Sequence, residues 1–180
     1  MPTLTNKDSA IRETEGIFGE HRSGLLRYIR YHLGDISEAE DIAQESFIRF
    51  YQARLRSEEI LKPKAWLFRV AHNLLIDLGR KKKPELLDEK GWLAAEALSV
   101  VVPSGLEPEL MALPWHRLTK LELECLRLRT EGFKLREISE VLGVSISTVV
   151  SYISRALTKL RPVTEEKFET FDDQRVAAIL

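Results

Sequence analysis

Two successive amphipathic patterns between Ser37 and Lys83 constrain the fold most, because each has the three- and four-residue spacing of a helix face. The first begins at Ser37, which together with Glu40 predicts a capping box at the helix start. The second follows Pro63, a residue that suits the first position of a helix. The predicted buried residues are Ala39, Ile42, Ala43, Ser46, Phe47 and Phe50 in the first helix, and Leu67, Val70, Ala71, Leu74 and Leu78 in the second.

The first helix also has a face opposite its predicted buried stripe, and packing of a core does not need the residues on that face. This face is acidic and amide-bearing with one isoleucine at its centre, and it consists of Asp41, Gln44, Glu45 and Ile48. Such a face suits docking on a basic partner. For a face of this kind taken alone, an ordinary solvated surface with one stray apolar residue is the more frequent explanation.

The second helix combines a polar face with a run of cations. Four successive cations attract phosphate and release counterions on binding. The alternative is a charged helix end that suits the negative pole of the helix dipole. An asparagine beside the cations favours a nucleic-acid surface. The predicted surface comprises Arg69, His72, Asn73 and Arg80, with Ile76 on the same face, followed by Lys81, Lys82 and Lys83.

The segment before Ser37 predicts one or two further helices from Ser9 to Leu33, after a loose tail over residues 1–6. Gly34 and Asp35 mark the end of this segment. Its helices would complete the core beneath the central pair. The core candidates are Ile17, Phe18, Leu25, Leu26, Ile29 and Leu33.

A second helical unit is predicted near the C-terminal end. Thr119 and Glu122 form a capping box, and Gly132 suits the end of the helix that follows. Two further helices are separated by Gly143, and Ser145 can cap the second of them, which gives the register of a helix-turn-helix. The predicted buried residues are Leu118, Leu121, Cys125 and Leu128, then Leu135, Ile138, Val141 and Leu142, then Ile146, Val149, Ile153, Leu157 and Leu160.

The second helix of this pair has an outward side that suits DNA. Hydroxyl and guanidinium groups can contact base edges or phosphates in a major groove. The predicted contacts are Thr148, Ser151, Tyr152, Arg155 and Lys159. A helical hairpin without a DNA role is the alternative.

Composition limits the remaining function classes. The formal net charge of the 180 residues is −1, so any basic surface must be local. The single cysteine, Cys125, allows neither an internal disulfide nor a paired thiolate metal site, and we expect it in the core. The four histidines are scattered and no nucleophile or phosphate-loop motif accompanies them, so we expect no enzyme, catalytic residue, metal or cofactor. No stretch predicts membrane insertion or a signal peptide, which favours the cytoplasm.

The two central helices resemble conserved region 2 of bacterial RNA polymerase sigma factors, most closely the small extracytoplasmic-function type. The matching residues are Asp41, Gln44, Glu45, Phe47, Trp66, Leu67, Arg69, Ala71 and Asn73. The C-terminal unit is similar to sigma region 4 at Glu131, Gly132, Glu137, Ile138, Leu142, Gly143, Ser145, Thr148, Val149 and Ser151. It departs from that pattern at Lys134, Ser139, Val150 and Tyr152, and the last two replace cations that would hold phosphate.

The resemblance implies an all-α protein with two small helical domains joined by a flexible linker. The expected divisions are residues 9–83, a linker at 84–113, the helix-turn-helix at 114–161 and a tail at 162–180. The implied partners are core RNA polymerase, through its largest-subunit coiled coil and its flap, and promoter DNA. An anti-sigma factor is a further possible partner in such a family. The loop at residues 54–62 would capture a flipped promoter base.

A transcriptional regulator of the LuxR type is the competing interpretation, since its helix-turn-helix would look similar. Such regulators carry a sensor or receiver domain in the N-terminal half. The alternating strands and helices of a receiver are missing from this sequence, whereas the helix with Asp41, Gln44 and Glu45 is present.

Overall fold

The computed structural model describes residues 6–33, 35–82 and 114–160, and within them all regular structure is helical. Contacts divide the chain into two compact units, of which one contains the first three helices and the other the fourth, the sixth and most of the fifth. The all-α prediction is confirmed. The helices are α1 (Asn6–Leu33), α2 (Ile36–Leu55), α3 (Pro63–Lys82), a 3-10 turn (Trp115–Arg117), α4 (Lys120–Thr130), α5 (Leu135–Leu142) and α6 (Ile146–Leu160).

Helix α1 is one continuous helix that starts at Asn6, inside the predicted loose tail. Its predicted core residues Leu25, Leu26 and Ile29 are buried, together with Ala10 and Tyr28, which the pattern did not predict. Phe18 is 42% exposed, although its ring centroid lies 4.9 Å from that of Phe47. Ile17 and Leu33 are half-buried. The tightest packing of α1 therefore lies in its C-terminal half.

Helix α2 begins earlier than predicted, because Asp35 and not Ser37 is its N-cap. The Asp35 carboxylate accepts hydrogen bonds from the backbone N–H groups of Ser37 at 2.7 Å and Glu38 at 3.3 Å. A carboxylate at this position also suits the positive pole of the helix. All six residues of the predicted stripe are buried.

Helix α3 is rotated relative to the predicted stripe. Leu67 and Ala71 are buried as predicted, whereas Val70, Leu74 and Leu78 are only half-buried. Both α1 and α2 contact α3, so its buried face is wide and centred on the side that carries phenylalanine and histidine. Burying Phe68 and Leu75 contributes about 1.5–3 kcal/mol each. The buried residues of α3 are Ala65, Leu67, Phe68, Ala71, His72 and Leu75.

Helix α4 of the second unit begins with the predicted capping box. The Thr119 hydroxyl accepts from the backbone N–H of Glu122 at 3.4 Å, and the Glu122 carboxylate accepts from that of Thr119 at 2.8 Å. The four predicted core residues of this helix region are buried, and so are Leu123 and Leu126. Burial raises the pKa of Cys125 to about 12, with smaller contributions from Glu124 and Glu122, so the thiol is a protonated core group.

Helices α5 and α6 form the predicted helix-turn-helix and are bent by 105° at their junction. Gly143 ends α5 with a φ of 67°, a left-handed conformation that glycine adopts without a Cβ penalty. The Ser145 hydroxyl caps α6 by accepting from the Thr148 N–H at 3.1 Å.

The core face of α6 is narrower than the pattern predicted. Ile146 is 43% exposed and Leu157 is half-buried, while Ala156 is fully buried. The small alanine permits the close packing of α6 on α4. The buried residues of α6 are Val149, Ile153, Ala156 and Leu160. In α5, Ile138 and Val141 are buried, whereas Leu135 and Leu142 are half-buried.

Among the described helices, none is by itself long and apolar enough to cross a membrane, and only α5 and α6 counted together across their bend reach that composition. Lys83, the predicted linker at 84–113 and the predicted tail at 162–180 lie outside the described residues.

Candidate functional site

The acidic face of α2 lies opposite its buried stripe, as predicted. Asp41 and Gln44 are exposed, and Ile48 is 49% exposed at the centre of the face. Glu45 accepts a hydrogen bond from Arg49 Nε at 2.7 Å across one helical turn. An exposed pair of this spacing is worth only about 0.3–0.5 kcal/mol, so a stronger cationic partner can replace it.

The outer side of α3 carries a row of polar side chains. Arg69, Asn73 and Arg80 are exposed at offsets of zero, four and eleven residues, which is the spacing of one helix face. Lys81 is exposed just beyond them. The helix ends at Lys82. Ile76 is half-buried and therefore lies at the edge of the surface.

His72 does not belong to this exposed surface, contrary to the sequence prediction. It is only 4% exposed, and its Nδ1 lies 2.9 Å from the Tyr28 hydroxyl in a buried hydrogen bond between α3 and α1. The prediction was wrong because it grouped His72 with Arg69 and Asn73 by spacing, while the rotated core face of α3 includes position 72. The histidine is a packing and orienting residue.

The exposed side of α6 contains one guanidinium group with close neighbours on the same helix. Arg155 is exposed, and its Cζ lies 4.9 Å from the ring centroid of half-buried Tyr152. Arg155 Nε donates to the backbone carbonyl of Ser151 at 3.3 Å. The Thr148 hydroxyl lies 2.7 Å from the Ser145 hydroxyl, so it is part of the helix cap. Ser151, Tyr152 and Arg155 are thus brought together.

Lys159 forms an ion pair with Glu122 of α4. Its Nζ donates to both carboxylate oxygens of Glu122, at 2.7 and 3.0 Å. Glu122 is 1% exposed, and the lysine side chain is 36% exposed. Burial alone would raise the pKa of Glu122, but the hydrogen bonds from Lys159 and Thr119 together with the lysine charge lower it overall. Lys159 is therefore a partly exposed cation that already has an acidic partner, and its predicted contact with DNA stays a prediction.

Two residues that the sequence pattern did not identify orient the surfaces from inside the units. Glu122 was recognised only as a capping residue, yet a carboxylate within the leucine-rich sequence LELECLRL also indicates a buried cationic partner. The sequence gives no comparable indication for Tyr28, because an isolated tyrosine in an amphipathic helix is as compatible with an exposed position as with a buried one. Each pairs with a residue far along the chain, which helix spacing cannot predict.

Comparisons with known proteins agree with both halves of the chain. The family model for sigma-70 region 2 matches residues 17–85, and that for sigma-70 region 4 matches residues 116–160. The chain is 35% identical over 144 residues to the ECF RNA polymerase sigma factor SigW of Bacillus subtilis, covering 72% of this chain and 76% of that protein.

Other relatives cover still more of the chain. Identity is 29% over 160 residues to the ferric citrate uptake sigma factor FecI of Escherichia coli, covering 79% of this chain and 86% of that protein. The identity is also 29% over 159 residues to the ECF RNA polymerase sigma factor SigL of Mycobacterium tuberculosis, covering 83% of this chain and 88% of that protein.

Proposed function

Because this chain belongs to the extracytoplasmic-function sigma factors of the sigma-70 family, we propose that its two helical units divide promoter recognition between them. The protein is a promoter-recognising sigma factor, and the LuxR-type alternative is not favoured because the region 2 match occupies the N-terminal half. The observation that carries the division is that α3 and α6, in separate units, each present an exposed polar face beside a buried stripe.

The exposed face of α2 is proposed as the polymerase-docking surface. Its members Asp41, Gln44, Glu45 and Ile48 combine negative charge, an amide and an exposed apolar centre. This chemistry fits a basic helical surface with an apolar groove, such as the coiled coil of the polymerase largest subunit. The C-terminal unit would contact the polymerase flap.

The outer side of α3 is proposed to meet the upstream edge of the opening DNA bubble near the minus-10 element. Asn73 can both donate and accept hydrogen bonds, which suits a base edge. Arg69, Arg80 and the lysines at 81–83 carry charge without sequence preference, so they set affinity and salt dependence. His72 is excluded from this set because it is buried.

Helix α6 is proposed to enter the major groove of the minus-35 element. The 105° bend between α5 and α6 matches the geometry in which a second helix lies in the groove while the first crosses the backbone. Ser151 and Arg155 would contact the bases, and Tyr152 would lie beside them under the Arg155 guanidinium. Lys159 is left out, because its charge is paired with Glu122.

The remaining parts of the proposal follow from the family and concern the whole chain. We propose a division into residues 9–83, a linker at 84–113, a helix-turn-helix unit at 114–161 and a tail at 162–180. We also propose that the protein has a non-catalytic role beside core polymerase in the cytoplasm. An anti-sigma factor that covers the DNA-reading faces is proposed as a regulatory partner. We propose the apolar end of the tail, within residues 163–180, as the alternative candidate for covering those faces.

Run-off transcription with purified core polymerase on a randomised promoter library tests this function. Asn73→Ala should change which bases are tolerated in the minus-10 region, since losing a good base contact costs about 1–3 kcal/mol. Gln52→Ala removes an exposed amide from α2 and is the matched control, which should leave base preferences unchanged.

The experiment separates the family function from the residue assignment. Failure of the wild-type chain to direct initiation with any cognate core enzyme would contradict the function itself. Initiation with unchanged minus-10 preferences in the Asn73 variant would contradict only the assignment of Asn73.

A further inference from the structure

Tyr152 and Arg155 form a local arrangement on α6 that base contact alone does not explain. They are three residues apart, so their side chains are neighbours on the helix surface. The guanidinium carbon of Arg155 lies 4.9 Å from the Tyr152 ring centroid, within the range of a cation–π contact. Tyr152 is half-buried while Arg155 is exposed, so the ring is partly packed against the unit and supports a charged group that reaches solvent.

A second contact restricts the same side chain. Arg155 Nε donates to the Ser151 carbonyl at 3.3 Å, which occupies the donor nearest the helix. With the guanidinium carbon over the ring and Nε engaged with the Ser151 carbonyl, the two terminal nitrogens are the donors left to contact a partner beyond the helix. A pair of terminal N–H donors is the arrangement that reads the O6 and N7 acceptors of guanine.

We propose that Tyr152 is a specificity-determining positioning residue, which holds the Arg155 guanidinium edge-on for a bidentate contact with one guanine of the minus-35 element. This inference rests on the proposed entry of α6 into the major groove. Tyr152 stands where the family pattern commonly has a cation, so the chain exchanges a phosphate contact for preorganisation of its exposed arginine. Preorganisation limits the rotamer freedom lost when arginine binds a base.

The charge balance of α6 supports this assignment. Lys159 is paired with Glu122, and position 150 carries valine, so Arg155 is the cation available to the groove among the described residues of this helix. A recognition helix with so little charge gains little from phosphates. The selectivity of this helix for bases then depends on how well the Arg155 guanidinium is oriented.

The test uses the full chain in holoenzyme with core polymerase and a library of promoter fragments randomised across the minus-35 element. Arg155→Ala identifies the guanine whose preference is lost. Tyr152→Leu should lower the preference for that same guanine by about two- to fivefold, the factor that an exposed cation–π contact contributes. Tyr152→Phe retains the ring, so its preference for that guanine should stay within about twofold of the wild-type value.

Coupling between the two residues gives the decisive measurement. In the Arg155→Ala background, Tyr152→Leu should have no further effect on that guanine, because the group it positions is gone. Ile146→Ala removes another apolar side chain from α6 without touching Arg155 and should leave the guanine preference unchanged. Thermal unfolding of each variant identifies any loss of folded protein.

Three results would contradict the proposed positioning role of Tyr152. Loss of the guanine preference in Arg155→Ala together with an unchanged preference in Tyr152→Leu overturns this inference while the proposed function stands. A uniform weakening at all sequences in Tyr152→Leu, with no shift at the guanine, also overturns it. If Arg155→Ala changes no base preference, Arg155 does not read a base. The proposed positioning role of Tyr152 is then contradicted as well.

Discussion

At the scale of single residues, one buried hydrogen bond and one partly buried ion pair orient side chains that join separate helices. The hydrogen bond between Tyr28 and His72 joins α1 to α3 at 2.9 Å. It places position 72 inward, which leaves Arg69 and Asn73 on the outer side. A buried polar group that loses its partner costs about 1–3 kcal/mol, so this hydrogen bond favours the rotation of α3 that buries the histidine.

The ion pair between Glu122 and Lys159 has the equivalent role in the second unit, where it joins α4 to the last turns of α6. Glu122→Gln should lower the free energy of unfolding at pH 7 by roughly 1–2 kcal/mol, a discounted figure because Lys159 is partly exposed. Glutamine can still accept from the Thr119 N–H, so the helix cap is retained. Urea unfolding followed by circular dichroism measures the difference.

The pH dependence of that difference follows from the lowered pKa of Glu122. A carboxyl whose pKa is lower in the folded than in the unfolded chain contributes stability above its ordinary value of 4.5. That stability is lost as the pH falls through the folded pKa, so wild type and Glu122→Gln should converge in acid. Glu137→Gln, at the equivalent capping position of α5, is the control and should change stability little. A gap that persists unchanged in acid would contradict the ion-pair explanation.

At the scale of the helices, α2 separates its core and docking functions onto opposite faces. Reversing the charge at Asp41 and Glu45 to lysine should reduce capture of core polymerase by at least about tenfold, because two favourable charge contacts become repulsive. Folding should be retained, since both residues lie outside the buried stripe and the Glu45–Arg49 pair contributes little. Pull-down with purified core enzyme measures the loss.

The control for this experiment changes the net charge equally at other exposed positions. Glu15→Lys with Glu59→Lys places the same charge on α1 and on the loop after α2. These changes should leave capture near the wild-type level. Equal capture by the Asp41/Glu45 variant and wild type, with both chains folded, would rule out this face as the docking surface.

At the scale of the whole molecule, a net charge of −1 means that attraction to DNA is confined to a few places. Replacing Lys81, Lys82 and Lys83 by glutamine should weaken binding to all promoters alike. It should also flatten the dependence of log affinity on log salt by up to about 2–3 if each lysine neutralises one phosphate. Holoenzyme binding to several promoters at increasing salt measures both effects.

A matched variant replaces three exposed cations of α1, Lys7, Arg12 and Arg22, by glutamine. It alters the net charge by the same amount and should leave the salt slope close to that of wild type. A shift in base preference in the Lys81–Lys83 variant, with an unchanged slope, would mean that these lysines read sequence.

The sequence by itself determined the elements and most of their inward faces. The stripe of α2 was predicted residue by residue, and the Thr119 cap, the Gly143 turn and the Ser145 cap were found where predicted, because local hydrogen bonding and helix spacing decide such features. The helix-turn-helix and both family resemblances followed from the same local patterns.

Only the tertiary structure decided the rotation of α3 and the pairing of charges. Helix α3 contacts both α1 and α2, so its wide buried face includes His72, which a single-stripe pattern assigns to the surface. Tyr28 and His72 are 44 positions apart, and Glu122 and Lys159 are 37 apart. The periodicity of one helix contains no information about a partner on another, so these contacts arise only when the helices pack.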